Sequence, residues 1–188
     1  MIPRDTDGYW LSGLVDGEGM FLFYVRQKRR PGCYSFDFQF GVSLRADDAA
    51  TLNEVRRILD IKGSWYTDKR NRVAGYKGKT YEGKPLKQFR VHRKSEIAKV
   101  IEFFRKYPLR SKKQKDFVKW AEAFEYYCGI IASQPIRHVR FVQINLPNAK
   151  HRRPFVGTPK AKLRRTPPEL IAQMQTYARQ LKEGRVYV

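Results

Sequence analysis

Two carboxylates stand at positions where an ordinary helix would carry cations. The segment Trp10-Leu-Ser-Gly-Leu-Val-Asp-Gly-Glu-Gly-Met-Phe21 starts as a helix, with Asp7 able to cap its first turn and Tyr9, Trp10, Leu11, Leu14 and Val15 apolar. Asp16 and Glu18 then fall at its C-terminal end, where the helix dipole is already negative. Gly13 and Gly17 are four apart, so one side of the helix has no side chain at either position and a second backbone could come close. Acids placed against the local electrostatic rule, between glycines and just before a strand, are the chemistry of a cation site. A surface helix with a glycine cap is the plainer reading of the same residues.

Composition narrows what such a site would act on. The 188 residues suffice for one core with a small appendage, and they hold 39 Lys+Arg against 18 Asp+Glu, a net charge of +21. Excess charge of that size on an aromatic-rich, foldable chain points to nucleic acid. No apolar run reaches the roughly 18–20 residues of a spanning helix, and a long basic amphipathic helix with little else is missing, so no membrane partner is expected. The residues before Trp10 form no apolar signal region, and Cys33 and Cys128 lie far apart without Cys-x-x-Cys spacing. The expected setting is an intracellular, reducing compartment, bacterial cytoplasm or organelle, rather than secretion.

The elements that must position the acids follow in order. Met20–Arg26 alternates, with Phe21, Phe23 and Val25 on one face and Met20, Leu22, Tyr24 and Arg26 on the other. A basic turn containing Lys28, Arg29 and Arg30 leads to a second strand, where Tyr34, Phe36, Phe38, Phe40, Val42 and Leu44 alternate with Ser35, Asp37, Gln39, Gly41, Ser43 and Arg45. Such a sheet is apolar on one face and presents hydrogen-bonding groups on the other, as reading base edges requires; plain solvation is the alternative. Asp47 or Asp48 opens a structural helix through Leu52, Val55, Ile58 and Leu59. Ser64–Thr67 gives a third strand and Gln88–Arg93 a fourth, with Gln88, Arg90 and His92 outward. Between Lys69 and Lys87 runs a Gly-rich connection bearing Lys69, Arg70, Arg72, Lys77, Lys79, Lys84 and Lys87 against Glu82, a concentration of cations that invites phosphate. His92 has no second His or Cys at ligand spacing and reads as a hydrogen-bonding surface residue.

Two helices close the core. One starts at Ser95 and stops before Tyr107-Pro108; the other opens at Ser111 and ends at Gly129. From Gln134 onward Lys and Arg far outnumber the two acids, Glu169 and Glu183, and prolines at 147, 154, 159, 167 and 168 make most of this stretch an extended arm before a final helix from about Pro168 to Glu183. The expected division is a core at 1–133 and a basic C-terminal arm and helix at 134–188.

The order αββαββαα, α+β in class, gives the opening segment a context. Leu11-Ser-Gly-Leu-Val-Asp-Gly-Glu-Gly19 resembles the signature of the LAGLIDADG homing endonucleases, and Tyr107-Pro-Leu-Arg-Ser-Lys-Lys-Gln114 resembles a later segment of the same family. The likeness covers roughly residues 7 to 130. It implies that two signature helices pack at small residues beneath a saddle of antiparallel DNA-binding sheets, and that divalent ions there assist hydrolysis of one phosphodiester per strand across the minor groove, leaving 3′ overhangs. Carried onto this chain, it makes Glu18 the metal-binding acid and Lys112 or Lys113 the lysine near the attacking water, with Lys113 favoured by its place before Gln114. Leu11, Ser12, Gly13, Asp16 and Gly17 become the helix-pairing residues, with Asp16 capping or supporting the helix ends. Mg²⁺ is the implied cofactor, with Mn²⁺ or Ca²⁺ able to substitute in binding.

The expected DNA contacts are Tyr24, Arg26, Lys28, Arg30, Gln39, Ser43, Arg45, Arg70, Arg72, Lys77, Gln88, Arg90 and His92. Cys128-Gly-Ile-Ile-Ala-Ser133, the nearest candidate for a second signature, carries no acid. A single copy leads to the expectation of a homodimer on a long, partly palindromic double-stranded DNA target. The alternative on the same fold is an intron RNA maturase or a non-cleaving DNA-binding protein, for which the basic tail would supply RNA contacts.

Overall fold

The computed structural model describes residues 4–29, 31–68, 73–76, 79–82, 85–133 and 166–183. Of the expected DNA contacts, Arg30, Arg70, Arg72 and Lys77 lie outside the described residues, as does the arm at 134–165. The elements are α1 (Asp5–Glu18), β1 (Gly19–Gln27), β2 (Tyr34–Arg45), α2 (Ala49–Leu59), β3 (Ser64–Asp68), β4 (Val73–Tyr76), β5 (Lys79–Glu82), β6 (Leu86–Val91), α3 (Lys94–Lys106), α4 (Lys113–Ser133) and α5 (Pro168–Glu183). This is the expected α+β order with an antiparallel β4–β5 ribbon inserted in the basic connection.

The main sheet is antiparallel, in the order β1-β2-β6-β3. Its alternation is the one the aromatic pattern requires: Phe21, Phe40, Val42, Phe89 and Val91 are fully or almost fully buried. Against that face α3 supplies Val100 and Phe104, and α4 supplies Phe117 and Trp120. Rings pack through this layer, Phe21 lying 5.3 Å from Trp120 in a tilted pair and 5.8 Å from Phe104 edge to face. The Trp120 indole N–H also donates to the Leu22 carbonyl at 3.0 Å, so α4 satisfies a backbone group on the outer edge of β1.

Helix starts differ from the sequence reading in instructive ways. α1 begins at Asp5, and Asp7 sits inside the first turn with its carboxylate 3.3 Å from the Arg57 guanidinium instead of capping a backbone N–H. A 3-10 turn at Ala46–Asp48 precedes α2, and Asp48 accepts from the Thr51 hydroxyl at 2.6 Å. α2 ends with Asp60 in the left-handed region, and Gly63 takes φ 55°, where an added Cβ would lie 2.2 Å from the Phe89 ring. α4 runs past Gly129 to Ser133, because nothing at Gly129 forces a turn and Ile130 still packs on the core.

α5 is continuous with the core. Its Leu170, Met174 and Leu181 are buried in the same apolar cluster as the sheet, and its Tyr177 ring lies 6.2 Å from that of Tyr126 on α4. Just before it, Thr166 donates its N–H to the Gly32 carbonyl at 2.8 Å and accepts the Tyr34 N–H on its hydroxyl at 2.9 Å. The lead-in to α5 is thereby pinned to the β1–β2 turn. No described helix is long and apolar enough to cross a membrane.

Candidate active site

The missing cation at the end of α1 comes from another helix. No basic residue lies in α1's last turn, but the Lys113 ammonium, at the first residue of α4, donates to the carbonyls of Val15 at 3.1 Å and Gly17 at 2.7 Å. The Val15 carbonyl also accepts the Gly19 N–H, whereas Gly17 lies in the last turn, where carbonyls lack intrahelical partners; the ammonium caps that turn and faces the negative dipole end. Partial burial pulls the Lys113 pKa down, opposed by the nearby charges of Glu18, Asp16 and Asp116. Lys112, one residue earlier, is exposed.

The two acids have separate environments. The Asp16 carboxylate accepts the Arg110 N–H at 2.8 Å on one oxygen, and the Ser111 N–H at 3.1 Å and Ser111 hydroxyl at 2.6 Å on the other. Desolvation works to raise its pKa; the Ser111 hydroxyl, the two backbone N–H groups and Lys113 outweigh it and hold Asp16 below the usual carboxylate value. Glu18, two residues on, is exposed. It borders an open cavity of about 540 Å³ shared with Ser43, Arg45, Asp47 and Asp48, in which Arg45 and Asp47 form an ion pair. A larger cavity of about 760 Å³, between α2 and the start of α3, has Arg56, Lys62 and Arg93 in its wall and does not include Glu18.

A hard divalent cation fits this donor set through one residue. Glu18 offers carboxylate oxygens to solvent, whereas both Asp16 oxygens are already bonded to the α3–α4 connection. Among the described residues, no three His, Cys, Asp or Glu side chains come together as a ready-made metal cage.

The residues expected at a helix-pairing face divide. Leu11 is fully buried, Ser12 is 4% exposed and donates to the Tyr107 carbonyl at 2.7 Å, and Asp16 is turned to the α3–α4 connection. Leu11 and Ser12 thus pack into the chain's own interior, while half-buried Asp16 fastens the α3–α4 connection to the end of α1. Gly13 and Gly17 are exposed, and a Cβ added at either would meet nothing within 4 Å. Beside them stand Trp10, 44% exposed, and half-buried Leu14. Trp10, Gly13, Leu14 and Gly17 follow the i, i+3, i+4, i+7 spacing of one helix face, a signal the sequence already contained.

On the presented face of the sheet, the Arg26 guanidinium lies 5.0 Å from the centre of the Tyr24 ring and 3.8 Å from Asp37. Across the sheet, Arg90 covers Tyr66 at 4.6 Å while donating to the Gln88 amide oxygen. Ser43 is half-buried, Lys28 and Arg45 are exposed, and His92 is exposed just past the end of β6. Gln39 departs from expectation. It is only 7% exposed, and its side-chain nitrogen has no hydrogen-bond partner among the described residues. Alternation assigns a residue to a face without fixing its depth, and Gln39 lies on an inner strand, opposite Leu22 of β1 in register. Tyr66, 45% exposed, belongs to this surface and was legible as an aromatic beside the arginine-bearing strand.

The chain thus combines a four-stranded antiparallel sheet, apolar on one face and rich in Arg, Gln and Tyr on the other, with a helix that ends in an exposed acid beside a lysine, an α+β fold. A family profile described as LAGLIDADG endonuclease matches residues 11–124, and the chain belongs to that family. Among solved structures it is similar to the homing endonuclease I-TnaI, at 25% identity and a TM-score of 0.54 over 69% of this chain and 76% of that one. It also shares its fold with I-LtrWI bound to target DNA (22% identity, TM-score 0.57, 67% and 39% covered) and with I-SmaMI bound to cleaved DNA (18% identity, TM-score 0.62, 95% and 45% covered). The chain therefore spans less than half the length of these two DNA-bound proteins. A search of curated proteins gave no match.

Proposed function

We propose that this chain is a site-specific, divalent-metal-dependent DNA endonuclease that acts as a homodimer on a long, partly palindromic duplex, cutting both strands across the minor groove to leave 3′ overhangs. The observation that carries the reading is the exposed Glu18 at the end of a helix whose adjoining face, at Gly13 and Gly17, is open. Pairing two copies along that face brings two Glu18 carboxylates together, which one chain does not do. Glu18 would hold Mg²⁺, which supplies charge neutralisation at the phosphate and a lower pKa for the attacking water. Lys113, fixed beside it, adds positive charge where the pentacoordinate phosphorane and leaving oxygen become negative. Tyr24, Arg26, Gln88 and Arg90 present hydrogen-bonding groups to the bases and phosphates along the groove.

The test is selection of cleavable duplexes from a randomised library in Mg²⁺, followed by comparison with Glu18→Gln. Losing a direct ligand should slow cleavage by more than the roughly 10- to 100-fold typical of outer-shell changes, with binding retained. Specific binding with no Mg²⁺-dependent cleavage by the unaltered protein would move the chain to the non-cleaving class.

A further inference from the structure

Two sets of bonds join the start of α4 to the end of α1. The Lys113 ammonium on the Val15 and Gly17 carbonyls is one. The other passes through Ser111, whose hydroxyl donates to Asp16 at 2.6 Å and accepts the Lys113 backbone N–H at 3.2 Å. Ser111 is therefore bonded in both directions, to the signature helix on one side and to the first residue of α4 on the other. The Arg110 and Ser111 N–H groups fasten the same connection to Asp16, and the Leu109 N–H donates to the Gln114 side chain at 3.0 Å, closing the turn from inside α4.

The consequence concerns aim. A lysine ammonium sits on a flexible four-carbon stem, and its position is only as defined as its own backbone and the acceptors it finds. It has three donors; two go to the α1 carbonyls, leaving one for a water or a phosphate oxygen. Without the Ser111 bridge, the backbone of Lys113 would depend on the first turn of α4, where helical N–H groups have no intrahelical partners. We propose that Ser111, anchored by Asp16, is a positioning residue that sets the direction of the Lys113 ammonium at the cleavage site. The signature's first acid thus acts through the α3–α4 connection, and its second at the reacting phosphate. The kinetic consequence rests on the nuclease reading above; the geometric one does not.

Two measurements on the full chain separate those levels. In protein labelled with ¹⁵N-lysine, a hydrogen-bonded ammonium exchanges slowly enough to give its own Nζ–H signal, assigned by its loss in Lys113→Arg. The signal should persist in Ser111→Thr, which keeps the hydroxyl, and broaden away in Ser111→Ala. An unchanged Lys113 signal in Ser111→Ala overturns the proposal. In single-turnover cleavage of a library-selected duplex, Ser111→Ala should be slower on the order of tenfold or more, as small misplacements of a catalytic group are, with DNA affinity within about twofold and the rate restored in Ser111→Thr. Equal rates in wild type and Ser111→Ala also overturn it. Failure of the wild type to cut any duplex defeats the nuclease reading, while the lysine signal still decides the geometry.

Discussion

Along its inward face α1 is finished by its own chain: Leu11 and Val15 are fully buried, Ser12 donates to Tyr107, and Asp16 accepts three hydrogen bonds. Along its outward face Trp10 is 44% exposed, and Gly13 and Gly17 meet no atom within 4 Å of an added Cβ. The sheet repeats the contrast, with Phe40 and Phe89 sealed on one side and Tyr24 and Tyr66 presented on the other. What differs is whether the chain itself covers the surface. Substitutions on the finished surfaces should cost folding, and those on the open surfaces should cost association or DNA binding while leaving the fold intact.

The largest effect is expected at the finished face. Leu11→Ala removes a fully buried side chain beneath the sheet and should lower unfolding stability by about 2–5 kcal/mol in urea titrations. A loss below about 1 kcal/mol would mean that the interior behind α1 collapses freely, and the contrast between faces would weaken. Gly13→Leu on the opposite side is the converse experiment. A Cβ at this position meets nothing within 4 Å, and leucine favours helix over glycine by up to about 1 kcal/mol, so thermal stability should hold or rise. Sedimentation should then show self-association weakened by at least about tenfold, since a leucine would prevent close approach of a second backbone. Undiminished association would place the pairing surface elsewhere.

This division explains what the sequence could disclose. Alternation at Phe36, Phe38 and Phe40 and the acid-ended signature are local patterns, so the sheet and α1 were readable without coordinates. The limits of α5 were also local, set by Pro168 and the apolar spacing of Leu170 and Met174. Its docking was not, because Thr166 meets Tyr34 across 132 residues and basic composition dominates the surrounding stretch. The inward turn of Leu11 and Ser12 depends on α1's rotation about its axis, which three-dimensional packing sets. The Asp16–Ser111 bond spans 95 residues between two polar side chains of ordinary type, and no periodicity announces it. Gln39 alternates with Phe38 and Phe40 in the sequence, yet its burial to 7% exposure is a matter of three-dimensional packing that alternation does not encode.

On the presented sheet, Arg90→Ala should separate binding from folding. The cation–π contact with Tyr66 limits its stability cost to about 0.5–1 kcal/mol. If Arg90 meets a phosphate, the variant should bind selected duplexes more weakly whatever their sequence, with the slope of log K against log salt reduced by about 1; if it meets a guanine, the loss should be confined to one position of the site. Binding unaltered in both respects would remove this part of the sheet from the interface.

The smallest effect is a pH dependence at the rim of the same face. His92 is held below its ordinary 6.5, first by partial desolvation of a ring that is otherwise exposed and then by the charge of Arg90, with Asp37 pulling the other way. An unfolded chain therefore keeps this proton to higher pH than the folded one. The His92 contribution to stability is fully present above 6.5 and is lost as pH falls through the folded-state value, so stability should rise with pH across that window by a fraction of a kcal/mol, and His92→Gln should flatten it. A phosphate at this rim reverses the balance by favouring the protonated ring, so DNA binding should take up a proton and tighten as pH falls from about 7. NMR titration of the His92 ring in free and DNA-bound protein measures both. Identical midpoints in the two states would show that phosphate does not approach the end of β6, and would draw the edge of the DNA-binding surface inside it.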